Sequence, residues 1–375
     1  MKLCAATACT GCAACLNICP KQCISMEEGL NGHLFPVCNE ADCINCGLCE
    51  KVCPVNTDIE KREPMATYAA WNTNLEVQKK STSGGISAML AKAIVEEQGI
   101  VYGAAFDKSW SVVHVRCETL EDLDALRTSK YVQSKIGDTY RRVQSDLKAD
   151  KKVMFVGTPC QVAGLKSFLR ADYEKLYTAD LVCHGVPSDK IYREELAYLA
   201  DTDKLKWVYF RGRFAAGYGY GFIFDYGDRT EKFPLRQSYY IRGFMDGLFF
   251  RESCYSCRYA TKERLGDITI GDFWGIGKSV PFNNPEKRRV SLALINTEKG
   301  RDWFDAIKAE LHFEERELME AVNGNPQLRK PIAKPEQYEK FKKLYPSIGY
   351  LKAMQRTFPK MRLRLLLEKL LRKKS

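Results

Sequence analysis

The sequence predicts an α+β fold in three parts: a small cysteine-rich N-terminal domain, a larger α/β domain and a basic helical tail. Three observations carry this. Residues 1–58 repeat one cysteine pattern, residues 65–345 alternate strand-length apolar runs with helical periodicity, and residues 346–375 mix leucines with lysines and arginines. With 375 residues, 45% of them hydrophobic and 28% charged, the chain can bury a sizeable core and is neither fibrous nor disordered.

The N-terminal element is read through its cysteines, eleven of the chain's sixteen. "MKLCAATACTGCAACLNICP" interrupts any secretory-type apolar region, and no apolar run reaches the roughly eighteen residues a membrane span needs, so a cytoplasmic chain is expected. That compartment keeps thiols reduced, which turns the expectation from disulfides to metal ligation.

Cys9, Cys12, Cys15 and Cys19 precede Pro20 as C-x2-C-x2-C-x3-C-P, and Cys43, Cys46, Cys49 and Cys53 precede Pro54 in the same order. Three thiolates at this interval wrap one face of a cubane, while the fourth is carried off to the other cluster of the pair. Cys9, Cys12, Cys15 and Cys53 are therefore assigned to one [4Fe-4S] cluster, and Cys43, Cys46, Cys49 and Cys19 to a second. Zinc knuckles would show paired C-x2-C units with a longer gap. The spacing resembles the bacterial two-cluster ferredoxin over residues 1–58. Cys4, Cys23 and Cys38 fall outside the pattern and are read as small apolar residues near the clusters, with an altered ligand set as the alternative.

After "DIEKREPM", read as a linker, "SGGISAMLAKAIVEEQG" predicts a helix opened by a Gly-Gly turn, with Ile86, Leu90 and Ile94 on one face and Gly99 closing it. "IVYGAAF" and "VVHVRC" read as strands, with Cys117 a core thiol. "TLEDLDAL" reads as a helix capped by Thr119, and "GDTYRRVQSDLKA" as another. "KKVMFVG" is a strand, Cys160–Leu169 a helix, and "LYTADLVC" a strand ending at Cys183. Cys254 and Cys257 form a C-x2-C pair that needs two further ligands, which Cys160 and Cys183, both at strand ends, could supply. On spacing alone a third cluster, a zinc site and inert thiols all stay open.

"STSGGISAML", "TSKYVQSKIGDTY", "FVGTPCQVAGLKSFL", "DLVCHGVPS", "CYSCRY" and "LGDITIGDFWG", in this order, resemble the coenzyme F-420 hydrogenase/dehydrogenase beta-subunit family over about residues 65–300. The resemblance implies an iron–sulfur flavoprotein holding FAD and a further [4Fe-4S] cluster. It makes Cys160, Cys183, Cys254 and Cys257 the ligands of that cluster, and places Ser83, Gly84, Gly85, Lys130, Tyr131, Gln133 and Ser134 along the flavin. A Gly-Gly turn at a helix N-terminus suits a pyrophosphate. Lys130 reads either as a cation near the flavin or as a solvated loop charge. Asp267 and Asp272 read as orienting groups or turn caps. His184 receives no role, and no catalytic residue is assigned.

The net charge of +11 is concentrated in the tail, where nine Lys or Arg face only Glu368 between Gly349 and Ser375; this +8 leaves +3 elsewhere. This placement argues against a whole-surface nucleic-acid footprint. The tail reads as a helix on an anionic membrane surface, at the inner face, or as a docked helix with a basic end. The function expected is an FAD- and iron–sulfur-dependent oxidoreductase. It would relay single electrons from a ferredoxin-like carrier to or from a hydride-level small-molecule or sugar-linked substrate, in surface polysaccharide biosynthesis by the family's associations. The alternative is an electron-transfer adaptor serving a partner enzyme. The chain's own ferredoxin domain speaks against a dedicated hydrogenase subunit.

Overall fold

The computed structural model describes residues 3–284 and 289–372; Lys373 and Lys374 of the basic tail lie outside the described residues. The strands are β1 (Ile24–Glu28), β2 (Leu34–Cys38), β3 (Ala66–Asn72), β4 (Ile100–Phe106), β5 (Val112–Cys117), β6 (Val153–Gly157), β7 (Leu176–Leu181), β8 (Trp207–Phe214), β9 (Gly217–Asp225), β10 (Thr230–Pro234), β11 (Ile268–Asp272), β12 (Ser291–Ile295) and β13 (Leu311–Glu315). Eight of them form one sheet in the order β13-β3-β12-β11-β7-β6-β4-β5. Its centre, β4-β6-β7-β11, is parallel and its flanks are antiparallel. β6 is covered on both faces, and this explains a run in which Val153, Met154 and Phe155 are all fully buried rather than alternating. Strands β8, β9 and β10 form a separate antiparallel sheet, and β1 and β2 a hairpin with Ile24 opposite Cys38.

The small domain does not hang from a linker. Cys12, Ala13, Ala14 and Val52 share one apolar cluster with Ile100, Tyr140, Phe155, Val162 and Leu165 of the large domain. Arg141 donates to the carbonyls of Leu16 and Asn17, and the Asn17 amide to that of Gly137. The charged segment read as a linker is itself fastened: Arg62 forms a β-bridge with Arg264, Arg258 pairs with Asp58, and Lys262 with Glu63.

Other differences are local. The helix Ile86–Glu96 buries Ile86, Leu90 and Ile94 as expected, but Gln98, at φ 58°, takes the left-handed position instead of Gly99. "TLEDLDAL" makes only a 3-10 helix over Asp122–Leu126, with the Thr119 hydroxyl accepting from Asp122 N. The helix after β6 starts one residue early, at Pro159, because Thr158 and Gln161 form a capping box and proline suits a first turn. β7 ends at Leu181, two residues before Cys183.

The tail divides. The helix Tyr350–Thr357 buries Tyr350, Ala353, Met354 and Thr357 against the large domain. In Pro359–Arg372, Met361 is buried while Leu363, Leu366, Leu367, Leu370 and Leu371 are 49–69% exposed, a stripe of helical spacing turned to solvent. Among the described residues no helix is long and apolar enough to cross a membrane.

Candidate iron–sulfur and cofactor sites

The two cysteine repeats fold alike. Two residues after each leading cysteine the backbone turns left-handed, at Gly11 (φ 67°) and Asn45 (φ 51°), and it does so again four residues after, at Ala13 (φ 60°) and Gly47 (φ 70°). Ala13 is a non-glycine residue in a region that costs such residues energy, the kind of strain found where a loop must wrap a group. In both repeats the N–H at the first left-handed position donates to the leading sulfur at 3.4 Å, Gly11 to Cys9 and Asn45 to Cys43. Such bonds stabilise a thiolate and a cluster it holds.

Cys4, Cys9, Cys12, Cys15 and Cys53 line one cavity with Met26 and Pro36, and Cys49 of the second set reaches it as well. Cys4, outside the repeat, lies against Cys9 and Cys53, and its hydrogen bonds bring Cys9 down to about 6 and Cys53 to about 7. Cys23 lies 3.4 Å from Cys19 and 3.8 Å from Cys38, and the sulfurs of Cys23, Cys38 and Cys43 all fall within 4.8 Å of one another. Each extra cysteine of this domain thus stands beside assigned ones, Cys4 at one group and Cys23 with Cys38 at the other. The second group opens outward, since Cys46 is exposed while Cys9 and Cys12 are buried.

The inner cysteines come together from three segments. β6 and β7 are adjacent and parallel, so Cys160 and Cys183, just past their C-terminal ends, emerge at the same edge of the sheet. That edge is where parallel sheets leave room for ligands. Phe250 bridges Pro187, and Arg251 N donates to Val186 O, which lays the Glu252–Ser256 turn beside the Cys183 loop and delivers Cys254 and Cys257. Gly185, at φ 130°, makes room here, for a side chain would meet the Phe250 ring at 2.2 Å. Each of the four thiols is within electrostatic reach of the other three. Burial pushes Cys160, Cys183 and Cys254 up to about 12. Four converging thiols of this kind ionise together only around a cation, and sulfur donors select soft metals and iron–sulfur clusters. The group adjoins the first cavity, with Cys12 within electrostatic reach of Cys160.

The residues expected along the flavin are partly gathered. Ser83 donates to Val290 O, Gly84 N to Ser291 Oγ, and Gly85 (φ 94°) opens its helix. Gly84 is explained by packing alone, since a side chain would lie 2.3 Å from Ala70 O. The Thr82 hydroxyl, accepting from Ser129 N, joins this turn to the segment of Lys130 and Tyr131. The Lys130 ammonium donates to the carbonyls of Ala125, Arg127 and Thr128 and is drawn by desolvation down to about 7, so it is not a solvated loop charge. The Tyr131 ring stacks on Phe244 with centroids 4.6 Å apart. Gln133 instead faces the cysteine domain, donating to Thr10 O and accepting from Arg251, while Ser134 Oγ lies 2.7 Å from His114 Nδ1. Asp267 caps, accepting from Thr178 and Thr297. His184 sits between the rings of Phe244 and Phe250.

Sequence reasoning missed the wall opposite the Gly-Gly turn. Arg211 pairs with Asp272 and lies 4.9–5.4 Å from the rings of Tyr218, Tyr220 and Trp274; Arg289 covers Tyr218 from another side, and the Tyr218 hydroxyl donates to Thr82 O. Arg211 Nε, Arg289 Nε, Arg127 Nη1 and Thr128 Oγ1 are buried without a hydrogen-bond partner. Tyr218 and Trp274 are 38% and 44% exposed, so ring faces and unspent donors share one cradle. The aromatic and glycine alternation of "GYGYG" with "FRGRF" was the available signal; only the tertiary fold brings it to Thr82.

Sulfur donors in three groups define an iron–sulfur protein. Residues 8–57 match the 4Fe-4S dicluster domain, and residues 150–321 match the family model for the C terminus of the coenzyme F420 hydrogenase/dehydrogenase beta subunit. The chain thus carries two matched stretches in order, a 4Fe-4S dicluster domain and then the region similar to the C terminus of that beta subunit. Over 336 residues it is 23% identical to the coenzyme F420-dependent sulfite reductase of Methanocaldococcus jannaschii, covering 84% of this chain and 47% of the relative. The chain thus spans about half the length of that relative. Among solved structures it is similar, with a TM-score of 0.48 and 18% identity over 72% of this chain and 92% of the other, to a chain of the F420-reducing [NiFe] hydrogenase complex from Methanosarcina barkeri.

Proposed function

We propose that three [4Fe-4S] clusters and FAD make this chain a converter between single electrons and hydride equivalents. The observation that carries it is the convergence of Cys160, Cys183, Cys254 and Cys257 against the first repeat, which leaves no role for a third sulfur-donor group in a simple two-cluster carrier. Cys9, Cys12, Cys15 and Cys53 hold one cluster, Cys43, Cys46, Cys49 and Cys19 a second, and the inner four a third. When bound, the clusters supply one-electron steps and the flavin a two-electron step. The exposed Cys46 end presents the second cluster to an external ferredoxin-like carrier, while Cys12 brings the first next to the inner group.

The Gly-Gly turn with Tyr131, Arg211, Tyr218, Trp274 and Arg289 holds the flavin. Its unpartnered arginine donors suit a pyrophosphate and its exposed rings suit stacking on a planar heterocycle. A hydride-level small molecule, with sugar-linked intermediates as first choice, is the substrate. The cytoplasm is the site of action. The leucine stripe of Pro359–Arg372, flanked by Lys360, Arg362 and Arg364, rests on an anionic membrane surface.

The test is iron and flavin content after purification without oxygen. About twelve irons and one FAD are expected for the natural chain, and about eight irons for Cys160→Ser. About eight irons in both would refute the inner cluster and leave an electron-transfer adaptor.

A further inference from the structure

Arg251 is fully buried, at 1% exposure, between the first and the inner cysteine groups. Its guanidinium is fixed on every side: Nε donates to Gln133 Oε1 at 2.9 Å, Nη1 to Cys9 O at 3.3 Å, Nη2 to Leu34 O at 2.6 Å, and its plane covers the Phe35 ring at 4.6 Å. Gly11 is a glycine partly on its account, because a side chain there would stand 2.6 Å from Nη2. All its hydrogen-bond acceptors are neutral. The groups on which it acts most strongly are cysteines from both sides, Cys9 and Cys12 from the first repeat and Cys160 and Cys254 from the inner group, with the buried His33 also in reach.

This is unlike the other buried arginines. Arg264 pairs with Asp180 at 2.9 Å and Arg316 with Glu320 at 2.7 Å, each with its carboxylate inside the fold. Among the described residues no carboxylate pairs with Arg251. A buried cation without a counter-charge is strongly destabilising, and arginine does not escape by losing its proton. Its counter-charge must come from what the surrounding sulfurs hold.

We infer that Arg251 is the shared counter-ion of the first and inner clusters, a positioning residue that holds both reduction potentials up and close to each other. The inference rests on the ligand sets proposed above. A cluster gains one negative charge on reduction, and a fixed cation beside it favours that form. One guanidinium within electrostatic reach of both groups favours reduction of both, so an electron passes between them without a steep step. The second cluster feels it less: the cysteines on which the guanidinium acts most strongly belong to the first and inner groups.

The experiment is a redox titration of the anaerobically purified full chain followed by electron paramagnetic resonance, with iron counted on each sample. Arg251→Met removes the charge. Gln133→Glu keeps the arginine and sets a carboxylate against its Nε, a route that does not depend on the first variant folding. In either, two of three potentials should fall, each by at least tenfold in the reduction equilibrium, or 59 mV for one electron. The third should stay in place, and Arg251→Lys should restore most of the shift. About twelve irons with all three potentials unmoved in Gln133→Glu would overturn the inference alone. About eight irons in the natural chain would remove the inner cluster and overturn both readings.

Discussion

Gly164 tests whether the two domains are packed as tightly as the structure shows. It lies inside the helix Pro159–Leu169, where alanine would ordinarily gain about 1 kcal/mol over glycine. Here a methyl group would stand 2.8 Å from Cys12 Cβ, 2.9 Å from the Tyr140 hydroxyl and 3.0 Å from Cys12 Sγ. Bringing the first of these to a van der Waals separation of about 3.5 Å requires a shift of about 0.7 Å. Neither neighbour is free to give. Tyr140 is fully buried and bonded to Gln161 O at 2.8 Å, and Cys12 sits in the left-handed loop of the first repeat. Overpacking of this size costs about 1–3 kcal/mol, which cancels or exceeds the propensity gain. Gly164→Ala should therefore leave stability unchanged or lower by up to about 2 kcal/mol. The strain falls on a proposed ligand, so iron should be lost from the first cluster before the others. The assay is denaturant unfolding followed by circular dichroism, with cluster absorbance read on the same samples. A variant about 1 kcal/mol more stable with full iron would refute the close approach of the helix to Cys12.

His114 makes stability depend on pH. Burial lowers it to about 4, its Nε2 lies 3.1 Å from Val156 O, and Nδ1 faces Ser134 Oγ. Its folded value is below the unfolded 6.5, so the unfolded chain binds the extra proton and stability is lost as pH falls from 6.5 towards 4. At pH 5 the loss should be about 2 kcal/mol, and denaturant midpoints of His114→Gln at pH 7 and 5 should differ by correspondingly less than those of the natural chain. In the tail, Leu366→Glu with Leu370→Glu should change stability by less than about 0.5 kcal/mol, both sites being exposed, yet abolish partition onto anionic liposomes. Unchanged partition would return the tail to a simple docked helix.

What could be read from the sequence followed local chemistry. The cysteine repeat declared its own loops, and the paired left-handed residues at Gly11 and Asn45 and at Ala13 and Gly47 show why that pattern is so specific. The strands β4, β5 and β6 were legible because their apolar runs match burial on the sheet. The misplacements lie where tertiary contacts decided. Nothing local distinguishes Gln98 from Gly99 as the left-handed residue, or says that residues 58–64 will be fastened to 258–264. Gln133 and Lys130 show the limit for sites. Three residues apart, one is turned to the small domain and the other to a ring of carbonyls, a difference set by partners more than a hundred residues away for Gln133 and within five for Lys130.

The small domain's attachment bears on how electrons would travel. A mobile carrier domain would be expected to meet the body through a modest, polar surface and a free linker. Here Cys12, Ala13 and Ala14 belong to the same apolar cluster as β6, Arg141 ties down the carbonyls of helix Ala14–Ile18, and residues 58–64 are clamped at several points. Separating the domains would expose that apolar surface and strip Arg251 of its acceptors at Cys9 and Leu34. Transfer between the first and inner groups then needs no docking motion, and its rate should be insensitive to viscosity. Any step that slows in viscous medium belongs to the outer end, where Cys46 meets solvent.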